Sequence, residues 1–162
     1  MKPPSEMNAE VNPRDLAQLA KTNELSLPDD LDRAFPVIKE LRVQLTLEDF
    51  KTFVMLAKAA DGYRLVAREV RGKVIALMGY RILHDLVHGS HLYIDDLVTT
   101  KDHRSGGHGA ELLKYAESEA RRLGLSGLRL CAGLENEAAK RFYEREGWQS
   151  RSIAFKKRVS GH

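Results

Sequence analysis

Residues 91–124 read HLYIDDLVTTKDHRSGGHGAELLKYAESEARRLG, and this stretch decides the fold. His91 to Thr100 is rich in aromatic and β-branched types and reads as a strand. After Gly109 the period changes. Leu112, Leu113, Ala116, Ala120 and Leu123 share one face of a helix, while Glu111, Lys114, Glu117, Arg121 and Arg122 point outward. Gly124 supplies the stop. Between strand and helix lie three glycines, Gly106, Gly107 and Gly109. Just beyond, Leu128, Leu130 and Ala132 alternate in a strand that a helical connection makes parallel to the first.

Working outward, Tyr63 to Val70 alternates, Arg71-Gly72 makes a short turn, and Lys73 to Leu83 is apolar on both faces around VIALM, as a central strand should be. A loop bearing His and Gly leads to His91. The three strands predict an antiparallel meander. Upstream, Asn12-Pro13 predicts a helix running to about Leu25. Pro28 and Asp29-Asp30 open a second helix through Leu31, Phe35, Ile38 and Leu41. A third begins near Thr46 and ends at Asp61-Gly62. Downstream, a helix is expected from Asn136 to Glu146, with a stop at Gly147 and a closing strand within Trp148 to Val159. The expected class is α/β: a mixed sheet in which an antiparallel meander is followed by a parallel strand–helix–strand crossover.

The 162 residues predict a single domain over 1–162, with the polar, proline-bearing residues 1–10 a loose N-terminus. Hydrophobic residues make up 43% and charged residues 30%, values ordinary for a soluble globular chain. The single cysteine, Cys131, allows no internal disulfide. No stretch approaches a signal peptide or membrane span, so the expected location is the cytoplasm, with no membrane partner. The net charge of +3 does not argue for nucleic acid, and the Arg151, Lys156, Lys157 and Arg158 cluster reads as a solvated tail.

The segment Arg104-Ser105-Gly106-Gly107-His108-Gly109 precedes a helix N-terminus, where free amides and the helix dipole suit a pyrophosphate. Arg104 adds a charged donor. It is not a Walker loop, because Ala110-Glu111 stands where Lys-Ser/Thr is required. Nor is it a dinucleotide fingerprint, because the glycines follow an antiparallel meander.

Arg104-x-x-Gly107-x-Gly109, placed between this strand and this helix, resembles the acetyl-CoA motif of the GNAT superfamily of N-acyltransferases. Asn136-x-x-Ala139-x-x-Phe142-Tyr143-x-x-x-Gly147-Trp148 resembles the second motif of the same superfamily. The resemblance covers about Tyr63 to Trp148. The loop departs from the usual pattern at Ser105-Gly106 and at His108, where an aliphatic side chain is more common.

The resemblance implies an N-acetyltransferase that uses acetyl-CoA as cosubstrate, with no metal, and attacks it directly with a primary amine of a small molecule or protein. It implies a V-shaped cleft between LVTT and LRLCAG. Backbone groups of Leu97, Val98 and Thr99 would pair with pantetheine there, and one amide would polarise the thioester carbonyl. Ser105, Gly106, Gly107, His108, Gly109 and Ala110 would wrap the pyrophosphate, with Asn136 and Ala139 along the pantetheine arm. It also implies a homodimer through the last strand.

An amine like lysine must lose a proton before it attacks, which costs roughly 4.6 kcal/mol at pH 7. The resemblance makes Asp95 the expected base, with Asp96 or a water relay the alternatives. Neighbours in a strand point to opposite faces, so only one of the two lines the cleft unless a bulge re-aims the other. Tyr143 is the expected acid for the departing thiolate, with Phe142 packing beside it. His84, His88 and His91 have helical spacing on a strand and loop, which argues against a metal site. Two other functions fit parts of the chain. One is a non-catalytic acyl-CoA sensor, against which Tyr143 and the acidic pair argue; the other is a nucleotide-binding regulatory domain.

Overall fold

Lys73 to Asp85 forms the strand about which the computed structural model is built, and that model describes residues 18–159. Five strands form one sheet in chain order: β1 (Lys21–Glu24), β2 (Arg64–Val70), β3 (Lys73–Asp85), β4 (Gly89–Thr99) and β5 (Leu128–Leu130). The first four are antiparallel neighbours, and β5 runs parallel to β4. Arg71 and Gly72 both take positive φ between β2 and β3, the geometry that matches the twist of a two-residue hairpin. The mixed sheet expected from the sequence is the sheet observed.

Four helices cover it. On one face lie α1 (Leu31–Leu41) and α2 (Leu47–Asp61), whose Ala34, Ile38, Phe50 and Val54 pack on Leu65, Leu77 and Val98. On the other lies α3 (His108–Arg122), whose Leu112, Leu113 and Ala116 pack on Val66, Met78, Leu92 and Ile94. Burying leucines such as these stabilises the fold by about 1.5–3 kcal/mol each. α4 (Glu137–Arg145) adds Phe142 and Tyr143 to the edge of the second core. α2 is capped by Thr46, whose Oγ1 accepts the Asp49 amide at 3.1 Å, and ends at Gly62 with φ 65°.

Three expectations require correction. The helix expected to reach Leu25 gives way to β1. Only Gln18 and Leu19 are helical among its described residues. Lys21 to Glu24 pair with β2 instead, and Thr22 Oγ1 accepts from Arg68 Nη1 at 3.0 Å. An open β2 edge offers ladder bonds that outweigh a local helical pattern, and the polar sequence KTNE suits an edge strand. The strand expected to include Ala132 stops at Leu130. The closing strand in Trp148 to Val159 is absent: this segment pairs with no strand, and beyond Trp148 its large apolar side chains Ile153, Phe155 and Val159 lie exposed, Phe155 at 94%. The start at Asn12-Pro13 and the loose N-terminus of residues 1–10 lie outside the described residues. Among the described residues no helix is long and apolar enough to cross a membrane.

Candidate active site

The pairing of β4 with β5 covers Leu92 to Ile94 and stops at Leu130, while β4 runs on to Thr99. Beyond Ile94 the two strands part, and a cleft of about 290 Å³ opens between them. Leu97, Cys131, Gly133, Asn136, Ala139 and Tyr143 are among its lining residues. The β4 edge facing the cleft has no strand partner there. Its Asp95 carbonyl accepts from Arg42 Nη2 at 3.2 Å. Val98 is different, because its side chain enters the core beneath α1 and α2.

At the point where the strands part, β4 carries a bulge. Gly79 of β3 faces Asp96 and Tyr80 faces Ile94, so Asp95 has no partner of its own. The packing confirms the shift in phase: Leu92 and Ile94 face α3, and so does Leu97, three residues after Ile94. Asp95 and Asp96 therefore both line one cavity on the α1–α2 face, which strict alternation would forbid. That cavity holds about 670 Å³. Leu41, Arg42, Asp95 and Asp96 border both it and the cleft, so the two hollows meet at the acidic pair.

Each carboxylate has its own holder. Arg81 grips Asp95 with two bonds, Nε at 3.1 Å and Nη2 at 2.9 Å, and its Nη1 reaches Asp61 at 2.8 Å. Burial nonetheless raises the Asp95 pKa above the usual carboxylate value, with Arg81 opposing that rise. Asp96 accepts from Arg42 Nη2 at 2.7 Å and from the Tyr63 hydroxyl at 2.8 Å. Burial, then the Asp96 charge, pushes the Tyr63 phenol up, so it stays a donor. Tyr63 reaches Asp96 by lying over Gly79, where a Cβ would stand 1.8 Å from its hydroxyl oxygen.

Tyr143 lies half-buried across the cleft, its ring edge-on to Phe142 at 5.1 Å and tilted against Trp148 at 5.9 Å. Burial raises its pKa as well. Asn136 caps α4, its Oδ1 accepting the Ala139 amide at 3.0 Å, which leaves its Nδ2 for the cleft.

The glycine loop lies past the C-terminal end of β4, beyond both hollows. Gly107 is the residue before α3 and takes φ 80°, a conformation glycine adopts without strain. The first bond of the helix runs from the Glu111 amide to the Gly107 carbonyl, so the amides of His108, Gly109 and Ala110 precede it. Ser105 also has positive φ, and Gly106 leaves room for the His108 ring. That ring is buried, as an aliphatic side chain would be, and burial lowers its pKa, so it adds no charge to the loop. Arg104 turns from the loop toward the Thr99 carbonyl and Glu40.

His88 and His91 meet edge-on at 5.5 Å, with His88 bonded to Asp85 and His91 to the Gly89 carbonyl, while His84 bonds Ser90 instead. Among the described residues no cluster suited to a metal is present. Sequence reasoning missed Arg42, Tyr63 and Arg81. Only Arg81 left a trace, as a charge within an otherwise apolar central strand that requires a partner. Arg42 follows a helix and Tyr63 opens a strand, positions that carry no signal.

A model of the acetyltransferase (GNAT) family matches residues 25–148. The chain is 34% identical over 137 residues to the uncharacterized N-acetyltransferase YhdJ of Bacillus subtilis, covering 84% of this chain and 96% of that one. It is 32% identical over 133 residues to an aminoalkylphosphonate N-acetyltransferase of Salmonella typhimurium, covering 80% and 85%. A possible acetyltransferase from Clostridium difficile shares the fold with TM-score 0.74 and 22% identity, over 89% of this chain and 99% of that one. So does an aminoglycoside N-acetyltransferase in complex with CoA, with TM-score 0.75 and 16% identity, over 86% and 95%.

Proposed function

The chain belongs to the acetyltransferase (GNAT) family and is an N-acetyltransferase, and from that premise we propose that it moves an acetyl group from acetyl-CoA directly onto a primary amine seated between α1 and α2. The observation that carries this reading is the meeting of the two hollows at Asp95 and Asp96. One hollow suits the acyl donor, the other the acceptor, and the acidic pair stands at their junction.

Members of this family use acetyl-CoA, and the chain has places for its parts. The unpaired β4 edge from Leu97 to Thr99 fits the amide-bearing pantetheine arm, with Asn136 and Ala139 as the facing wall. The loop from Ser105 to Ala110, with the free amides of His108, Gly109 and Ala110, fits the pyrophosphate, and Arg104 would have to leave Glu40 to join them. When bound, acetyl-CoA supplies an activated acyl carbon and a thiol leaving group.

The protein's own groups then divide the work. Asp95, made more basic by burial and held in place by Arg81, takes the proton from the incoming ammonium, directly or through a water. Asp96, fixed by Arg42 and Tyr63, orients that ammonium. Tyr143 donates a hydrogen bond that strengthens as charge builds on the leaving sulfur. The acceptor is a small-molecule or protein amine, and neither nucleic acid nor membrane is part of the reading. The reading locates the enzyme in the cytoplasm, where acetyl-CoA is available; a homodimer through Trp148 to Val159 would have to form without the closing strand expected there.

The test is thiol release from acetyl-CoA against a panel of primary amines. The relative from Salmonella is named for aminoalkylphosphonates, so aminoalkylphosphonates belong in that panel. Tyr143→Phe should cut kcat about 10²-fold, within the range typical of a lost proton donor, with KM for acetyl-CoA little changed. Unchanged turnover in this variant would remove the acid role.

A further inference from the structure

Building on that reading, we propose that the acceptor cavity selects small primary monoamines whose body is apolar and carries no anionic group. Its walls are supplied by α1, α2 and the segment between them, through Ile38, Leu45, Phe50, Phe53, Val54 and Ala57. Its volume of about 670 Å³ lies within the range of small-molecule sites. Phe53 is 61% exposed although it lies on this wall, and Val43, which also lines the cavity, is 64% exposed. The body of a ligand would cover this apolar surface.

Charge is confined to a few groups. Asp49, Asp95 and Asp96 stand against Arg42 and Arg81, three carboxylates to two guanidiniums. Both guanidiniums are already committed: Arg42 to Asp96 at 2.7 Å, and Arg81 to Asp95 at 2.9 Å and Asp61 at 2.8 Å. The balance is negative, which favours one ammonium and opposes a carboxylate or phosphonate. Away from the acidic pair, a second ammonium would meet only Asp49, which already accepts from Thr46 Oγ1 at 2.6 Å, and a ring of hydroxyls would find little beyond Gln44 on otherwise apolar walls.

The test uses saturating acetyl-CoA and measures thiol release with ethylamine, butylamine, hexylamine, phenethylamine, 2-aminoethylphosphonate and spermidine. The alkylamines share nearly one basicity, so differences among them report the cavity. We expect kcat/KM to rise about fourfold per added methylene, the increment for burying one. Phenethylamine should fall near the top of the series, and spermidine and 2-aminoethylphosphonate below butylamine. Phe53→Ala should lower kcat/KM for hexylamine about tenfold, chiefly through KM, and shrink its advantage over ethylamine. A flat series, a preference for 2-aminoethylphosphonate, or hexylamine kinetics unmoved by Phe53→Ala would overturn the proposal while leaving acetyl transfer intact. Acetyl-CoA binding with no thiol release for any amine would overturn the acceptor reading itself.

Discussion

Asp95 is an acid whose surroundings work against each other. Burial disfavours its charge, Arg81 favours it, and burial prevails. A base acts only when deprotonated, so the acid limb of kcat/KM should lie above the ordinary value of 3.8. Asp95→Asn should abolish that limb and lower the rate, with partial recovery at high pH, where the amine deprotonates unaided. A pH–rate profile identical in both proteins would exclude Asp95 as the base. Gly79 makes a second prediction at this scale. A methyl group there would stand 2.5 Å from the Tyr63 ring carbon bearing the hydroxyl, so the ring must leave and Asp96 keeps only Arg42 as a donor. Gly79→Ala should cost about 2–4 kcal/mol, combining overpacking with a lost hydrogen bond to a charged group. In a Tyr63→Ala background the same substitution should cost much less, and a urea double-mutant cycle measures that coupling. Additive costs would mean that Tyr63 does not lie over Gly79 in solution.

At the scale of elements, the loop between β3 and β4 depends on one carboxylate. Asp85 accepts the His88 amide at 2.6 Å, the Val87 amide at 2.9 Å and the His88 ring. These donors lower its pKa to about 2, the His88 amide contributing most. A carboxylate depressed in the fold contributes stability above its unfolded value and loses it as pH falls through the folded one. The difference in urea midpoint between the parent protein and Asp85→Asn should therefore be complete above about pH 5 and gone by about pH 1. A difference that persists at about pH 1 would assign the effect to shape rather than charge. Elements also mark how far the sequence could be read. The meander, the crossover and the ends of α2 and α3 were legible because period changes and glycine stops are local. The bulge was not, because it rests on Gly79 facing Asp96 across two strands. β1 was hidden for a similar reason: its helical pattern was overruled by the open edge of β2, more than forty residues away. The candidate site follows the same division: Asp95, Asp96 and Tyr143 are nominated by motif, whereas the contacts of Arg42, Tyr63 and Arg81 with the acidic pair arise only through folding.

Across the whole molecule the two hollows are built from parts of unequal firmness. The hollow proposed for the acceptor rests on α1 and α2, whose Leu31, Ala34, Ile38 and Phe50 are buried against the sheet. The cleft proposed for the donor rests on β5, three residues long, and on α4, which has no fully buried residue. Segments with few buried apolar groups open most readily, so the donor wall should be the least protected part of the sheet and its coverings. Acetyl-CoA would tie β4 to α4 across the cleft and lend that wall the stability it lacks, by an amount set by mass action. Hydrogen exchange followed by mass spectrometry should accordingly slow across 128–145 and at the start of α3 when acetyl-CoA is added, with little change in α1 and α2. An apolar amine added to that complex should then slow exchange in α1 and α2. Protection appearing first in α1 and α2 on adding acetyl-CoA alone would reverse the assignment of the two hollows, and with it the roles given to Asp95 and Tyr143.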